Sequence, residues 1–156
     1  MSNEINYGSR LGPVLQDANA GIAVREVSKS FEGGKIRVLQ EATLYLSGGQ
    51  TAALWGASGS GKTTLLNMIG GLDVPDRGHI RTMGRDPSVE AERTVLRREV
   101  VGFVFQLHHL IPYLTVRENM LIPAIARGMA GAKASARLAE LLEALGLEHR
   151  QHQRMQ

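Results

Sequence analysis

From Gly21 onward the chain opens with short runs in which apolar and polar residues alternate, the period of strands with one buried face. Ile22, Val24 and the stretch to Val27 predict a first strand, Phe31-Glu32-Gly33-Gly34 a turn, Ile36 to Leu39 a second strand, and Ala42, Leu44 and Leu46 a third. Together these predict a small antiparallel sheet. Ser47-Gly48-Gly49 then turns the chain into the apolar run Thr51-Ala52-Ala53-Leu54-Trp55, which reads as a further strand. Lys62 to Ile69 carries Leu65, Leu66, Met68 and Ile69 and stops at Gly70-Gly71, the pattern of a short buried helix closed by glycine.

The pattern past this helix begins with turn formers, Asp73-Val74-Pro75-Asp76-Arg77-Gly78, and a short strand near His79 to Thr82. Asp86-Pro87 reads as a helix start, a capping side chain followed by proline at the first helical position, with the helix running to about Arg98. Val100-Val101-Gly102-Phe103-Val104-Phe105 is a continuous apolar run, as expected of a strand buried on both faces, and it ends at Gln106. The last third is helical. Thr115-Val116-Arg117-Glu118 is a capping box that opens a helix through Met120, Leu121 and Ile125, bent at Pro123. A second helix places Ala134, Leu138, Leu141, Leu142 and Leu145 on one face and stops at Gly146, after which Glu148 to Gln156 trails off in polar residues.

A length of 156 residues, 43% of them hydrophobic, suits one globular domain. The net charge of +3 is a mild excess with no run of five like charges, which reads as a solvated surface and gives no reason to expect nucleic acid. The absence of cysteine excludes disulfides and thiolate metal sites. No apolar stretch approaches the ~20 residues needed to cross a bilayer, so direct membrane insertion is not expected. Met1 to Ala20 mixes Asn, Gly, Pro and Asp with isolated apolar residues and lacks the continuous apolar segment of a signal peptide. It reads as a loosely ordered extension, residues 1–20, on a cytosolic protein.

The chemistry concentrates in Gly56-Ala57-Ser58-Gly59-Ser60-Gly61-Lys62-Thr63-Thr64, which fits G-x-x-x-x-G-K-[ST] between an apolar run and a helix. Gly56, Gly59 and Gly61 let the backbone take conformations closed to residues with a Cβ, so that successive amides, those of Ser58 and Ser60 among them, can turn inward around an anion. The helix N-terminus adds partial positive charge. Lys62 would bring a full charge to the β and γ oxygens of a nucleotide, the Thr63 hydroxyl would help to hold Mg²⁺, and Thr64 is a further hydroxyl donor.

With this strand-loop-helix, the apolar run ending in Gln106 and helices after it, the chain from about residue 21 to 150 resembles the ATP-binding subunit of an ABC transporter. Gly70 to Gly78, Val101 to Gln106 and Leu110-Ile111-Pro112 resemble its lipoprotein-release and macrolide-export branch. The resemblance implies an α/β fold, a P-loop NTPase of the ABC ATPase type: a small antiparallel β subdomain, a partial parallel core sheet and a helical region at about 107–150. Residues 21–156 would then be an incomplete nucleotide-binding domain. It implies ATP and Mg²⁺ as cofactors, a transmembrane permease and a second ATP-binding subunit as partners, and a cytoplasmic location on the inner face of the membrane. Gln106 aligns with the glutamine that helps to coordinate Mg²⁺ and the attacking water and couples the ATPase to the permease, a role an amide suits because it donates and accepts at once. Phe31, preceded by Lys29-Ser30 and followed by the glycines, occupies the place of the aromatic residue that stacks on adenine.

Two departures qualify the resemblance. The family's signature, Leu-Ser-Gly-Gly-Gln, occurs as Leu46-Ser47-Gly48-Gly49-Gln50, ahead of the phosphate loop, where it reads as a turn; a working signature opens a helix beyond the helical region. The family also needs an apolar strand ending in Asp-Glu and a later histidine. Asp17, Asp73, Asp76 and Asp86 close no apolar strand, and His108, His109, His149 and His152 read as solvated. The expectation is therefore a fragment that binds ATP with little or no turnover, its sheet edges and apolar surface exposed unless something covers them. The alternative is a non-hydrolysing nucleotide-binding module or sensor that pairs with a complete subunit.

Overall fold

A computed structural model of the chain describes residues 20–107 and 109–154. The expected extension, except Ala20, and His108 lie outside the described residues. The chain divides into two units, one ending at Gly102 and the other beginning at Phe103.

The first unit is built on strands β1 (Ala20–Phe31), β2 (Ile36–Ser47) and β3 (Arg77–Thr82), all antiparallel, in the order β2-β1-β3. Val24 and Val27 of β1, Leu39 and Ala42 of β2 and Ile80 of β3 share one core, and the three-residue steps from Val24 to Val27 and from Leu39 to Ala42 keep to one face because each strand carries a bulge there. Helix α1 (Lys62–Ile69) covers that face with Leu65, Met68 and Ile69. Val24, Val27, Met68 and Ile80 are wholly out of water. The end of α1 is tied to the sheet by the buried Thr82 hydroxyl, which donates to the Ile69 carbonyl at 2.7 Å.

The second and third strands expected from the sequence are one strand. The ladder from β1 runs the length of β2 because bulges absorb the polar break between Leu39 and Ala42. Glu41 takes a left-handed φ of 49° and gives its N–H to the Ser28 hydroxyl. Glu26 opposite does the same, with φ 49° and its N–H on the Thr43 hydroxyl.

The parallel core strands expected at 51–55 and 100–105 form no ladder among the described residues, and Val100 ends a helical turn instead. A run of apolar residues specifies faces, whereas a strand exists only with a partner, and parallel strands need a distant one. Trp55 and Val104 are accordingly 86% and 101% exposed, while Leu54 packs against the core. The helix expected from Asp86 begins later. Asp86 accepts from the Ser88 N–H and Pro87 is buried in that turn, so α2 spans only Glu90–Val95 and continues as a π-helical turn, Leu96–Val100.

The second unit contains α3 (Val116–Ala126) and α4 (Gly131–Leu145). The capping box forms as the sequence predicts: Glu118 N–H donates to Thr115 Oγ1 at 3.2 Å, and Thr115 N–H donates to the Glu118 carboxylate at 2.7 Å. The helix continues through Pro123 to Ala126. On α4 the buried stripe is Ala134, Leu138 and Leu142, at a four-residue spacing, and Leu141 and Leu145 of the expected apolar face are exposed. Up to Arg154 the polar stretch after α4 does not trail free. Glu148–Arg150 forms a 3₁₀ turn, and the carbonyls of Gln153 and Gln151 accept from the N–H groups of Val116 and Arg117, two of the donors a helix start leaves without partners.

Candidate functional site

The loop from Gly56 to Gly61 joins the segment at 51–55 to α1, and its shape follows from where glycine stands. Gly59 and Gly61 have φ of 79° and 87°. At Gly61 the need is double, because a Cβ there would lie 2.9 Å from the Val38 carbonyl oxygen and 2.8 Å from Leu39 Cδ2. The loop thus rests directly on β2, and only a residue without a side chain fits between them. A Cβ on Gly56 would meet the Ser60 hydroxyl at 2.7 Å, so the two ends of the loop also close on each other.

Gly61 is the N-cap of α1 and makes no side-chain cap. The amides of the first turn therefore face the space enclosed by the loop. The Lys62 ammonium lies across that space, donating to the carbonyls of Gly56 at 2.8 Å and Ala57 at 2.7 Å and to Ser60 Oγ at 3.2 Å. Thr63 and Ser58 are exposed, and Thr64 and Ser60 are half-buried. The arrangement can offer an anion the first-turn amides, one cation and hydroxyls, whereas the Ser60 amide, expected to turn inward, donates to the Ala57 carbonyl at 3.2 Å and closes a turn within the loop.

Phe31 stands at the end of β1, 42% exposed and opposite Ile36 in the ladder. Ile36 is two residues along β2 from Val38, on which Gly61 rests, so at ~3.4 Å per residue the ring and the base of the loop share one end of the sheet. Gln106 is exposed and belongs to the second unit. The structure therefore brings Phe31 to the glycine loop within the first unit and sets Gln106 in the other.

Sequence reasoning left one neighbour of this site without a role. Lys29 is 9% exposed. Its ammonium donates to Asp73 Oδ1 at 2.8 Å and the Val74 carbonyl at 2.7 Å and lies 5.3 Å from the centroid of the Phe31 ring. Beside it the Ser30 amide and hydroxyl both donate to Asp76 at 2.7 Å, and these two bonds hold the Asp76 carboxyl below its ordinary pKa. The available signal was a lysine two places before an exposed aromatic in a strand, since such residues share a face.

The short Leu-Ser-Gly-Gly-Gln stretch closes β2 and turns, with Gln50 Oε1 accepting from the Ser47 N–H at 2.8 Å and Gly49 at φ 81°. It opens no helix.

The family model described as ABC transporter matches residues 39–156. A lipoprotein-releasing system ATP-binding protein, LolD 1 of Rhodopirellula baltica, is 49% identical over 133 residues, which cover 83% of this chain and 58% of that protein. The macrolide export ATP-binding/permease protein MacB of Photorhabdus laumondii is 43% identical over 136 residues, covering 85% of this chain and 21% of that one. The solved dimeric structure of the ATP-binding cassette MJ0796, in a post-hydrolysis state bound to ADP and Pi, superposes with a TM-score of 0.76 at 33% identity, over 85% of this chain and 61% of that one. The chain thus spans about three-fifths of the length of the LolD relative and of the cassette. From a match over most of its length, the chain belongs to the ABC transporter ATP-binding family.

Proposed function

We propose that the chain binds ATP with Mg²⁺ and is part of an ATP-binding subunit that powers export, or extraction of lipoprotein-type substrates, through a membrane permease. The observation that carries the reading is the loop itself: Gly61 jammed against β2, α1 opening directly behind it, and the Lys62 ammonium held over the loop by carbonyls that a phosphate can replace. The donor set fits a triphosphate, because it consists of amides, one ammonium and hydroxyls and includes no carboxylate. Gly56, Ser58, Gly59, Ser60 and Gly61 supply the cradle. Lys62 exchanges its carbonyl partners for phosphate oxygens, and Thr63 offers its hydroxyl to the cation with Thr64 beside it. Mg²⁺, when bound with the nucleotide, neutralises phosphate charge. Phe31 takes the adenine, and the role that the resemblance implies for Gln106, toward Mg²⁺ and the permease, belongs on this reading to the longer protein.

Hydrolysis, pairing with a second ATP-binding subunit and docking on the inner face of the membrane belong on this reading to the longer protein. The names of the LolD and MacB relatives support the lipoprotein and export direction. Among the described residues no helix is long and apolar enough to cross a membrane.

Titration of the chain with a fluorescent ATP analogue and Mg²⁺ tests the core of this. Saturable binding is expected, weakened at least about ten-fold by Lys62→Ala through loss of a charge-assisted contact, with the melting curve unchanged. Absence of saturable binding by the folded chain would remove the reading. Vigorous turnover by the chain alone would remove the assignment of hydrolysis to the longer protein.

A further inference from the structure

The Phe31 ring carries no polar atom, so nothing on the ring itself can fix its orientation through a hydrogen bond. Its orientation must come from what lies against it. On one side lies the Lys29 ammonium, 5.3 Å from the ring centroid and inside the ~6 Å range at which a cation is attracted to an aromatic face. That ammonium is not free to wander. Its stem is buried, and it is held by Asp73 Oδ1 and the Val74 carbonyl, with Asp76 Oδ1 at 3.8 Å.

The clamp has a second half. Asp76 N–H donates to the Ser28 carbonyl at 3.0 Å while its carboxylate takes both donors of Ser30. The end of β1 is thus bolted on both sides of Lys29 to the segment 73–76, which leaves the C-terminal end of α1. The same helix carries the phosphate loop at its N-terminus. One helix therefore sets the position of the loop at one end and, through residues 73–76, of the aromatic platform at the other.

We propose that Lys29, anchored by Asp73, is a positioning residue for adenine: it holds one face of Phe31 so that the opposite, exposed face is presented to the base. This rests on the reading that Phe31 takes the adenine, and it makes base recognition depend on a buried cation that never touches the nucleotide. Two consequences follow from the geometry. Removing the cation should weaken the part of binding that the base contributes and leave the phosphate part alone. Removing the ring should make the cation irrelevant.

The test compares MgATP with magnesium tripolyphosphate, which offers the same phosphate chain without a base, as ligands of the 156-residue chain. Lys29→Met keeps the buried stem and removes the charge. It is expected to lower the ratio of ATP to tripolyphosphate affinity by about three- to ten-fold, the range of a cation–ring contact. Phe31→Ala should lower the ratio at least as much, and the double variant should be no worse than Phe31→Ala alone. Asp73→Ala, which loosens the ammonium without touching the core, should shift the ratio in the same direction by a smaller factor and decides the matter if Lys29→Met does not fold. An unchanged ratio in both the Lys29 and Asp73 variants, beside a lowered one in Phe31→Ala, would overturn the positioning role while leaving the adenine platform standing. Equal weakening of both ligands by Lys29→Met would also overturn it, by assigning Lys29 to the fold as a whole. An unchanged ratio in Phe31→Ala would remove the platform and the inference with it.

Discussion

In the unit that ends at Gly102, Val24, Val27, Met68, Ile80 and Leu96 are wholly buried; among the described residues from Phe103 on, the buried apolar side chains are Ala134, Leu138 and Leu142, all on α4. The second unit makes up part of the difference with polar bonds at its helix ends. Thr115 and Glu118 close a box, Asn119 bridges to the Ile111 amide and carbonyl and the Thr115 carbonyl, and the backbone of 151–153 caps the first turn of α3. One region is held by removing apolar area from water, at about 25 cal/mol per Å². The other is held by satisfying the donors and acceptors that helix ends leave open. Rigid placement of a phosphate loop needs the first kind of support.

The sharpest way to break this contrast is to delete apolar volume in each unit. Met68→Ala leaves a cavity between α1 and the sheet and should cost about 3 kcal/mol. Leu138→Ala, in the thin buried stripe of α4, should cost less, about 2 kcal/mol. Urea unfolding followed by circular dichroism measures both, and equal costs would show that the second unit has a core of the same quality.

The contrast is sharpened by cutting a cap. Thr115→Ala should destabilise by about 1 kcal/mol and Thr115→Ser by a few tenths, because only the hydroxyl is needed. A neutral Thr115→Ala would mean that the tail carbonyls carry the cap alone. In the first unit, Glu41→Gly should raise stability by about 0.5 kcal/mol, since glycine relieves the left-handed φ at the bulge and loses part of that gain to chain entropy. A loss in thermal melting would show that Glu41 makes a contact worth more than its strain.

The smallest expected effect is shared by both units. Asp76 is held below its ordinary pKa chiefly by the Ser30 hydroxyl and then by the Ser30 amide, and Glu118 chiefly by the Thr115 amide and then by its hydroxyl. A carboxyl with a lowered folded pKa binds fewer protons folded than unfolded, so its contribution is complete above the unfolded value of about 4 and is lost as pH falls through the folded one. Stability measured from pH 6 down to pH 3 should therefore fall less steeply in Asp76→Asn and in Glu118→Gln than in the parent chain. Parallel curves would remove these two groups from the acid response.

The parts of the molecule legible in the sequence are those whose signals are local. α1 begins and ends at the predicted residues because Gly61 and Gly70-Gly71 mark its limits, and the box at Thr115 formed because both partners lie within one turn. The glycine loop was legible for the same reason. What escaped the sequence depends on partners far along the chain. Residues 51–55 and 100–105 have strand-like composition and no ladder, β2 runs through a polar break because β1 tolerates a bulge there, and α2 starts three residues late because Asp86 closes a turn on Ser88. Lys29 belongs with these. Its spacing to Phe31 is local, but the anchor that fixes it is Asp73, 44 residues on, and no local pattern contains that distance.

The bonds from Val116 and Arg117 to the carbonyls of Gln153 and Gln151 also order events in time. A chain made from its N-terminus at roughly 5–20 residues per second leaves those two amides waiting for partners that are synthesised some seconds later. The sheet and α1 have their hydrogen-bond partners by Arg85 and can close while α3 is still being made. The glycine loop is therefore seated on finished structure early in synthesis, and the helical unit is the late arrival on the ribosome.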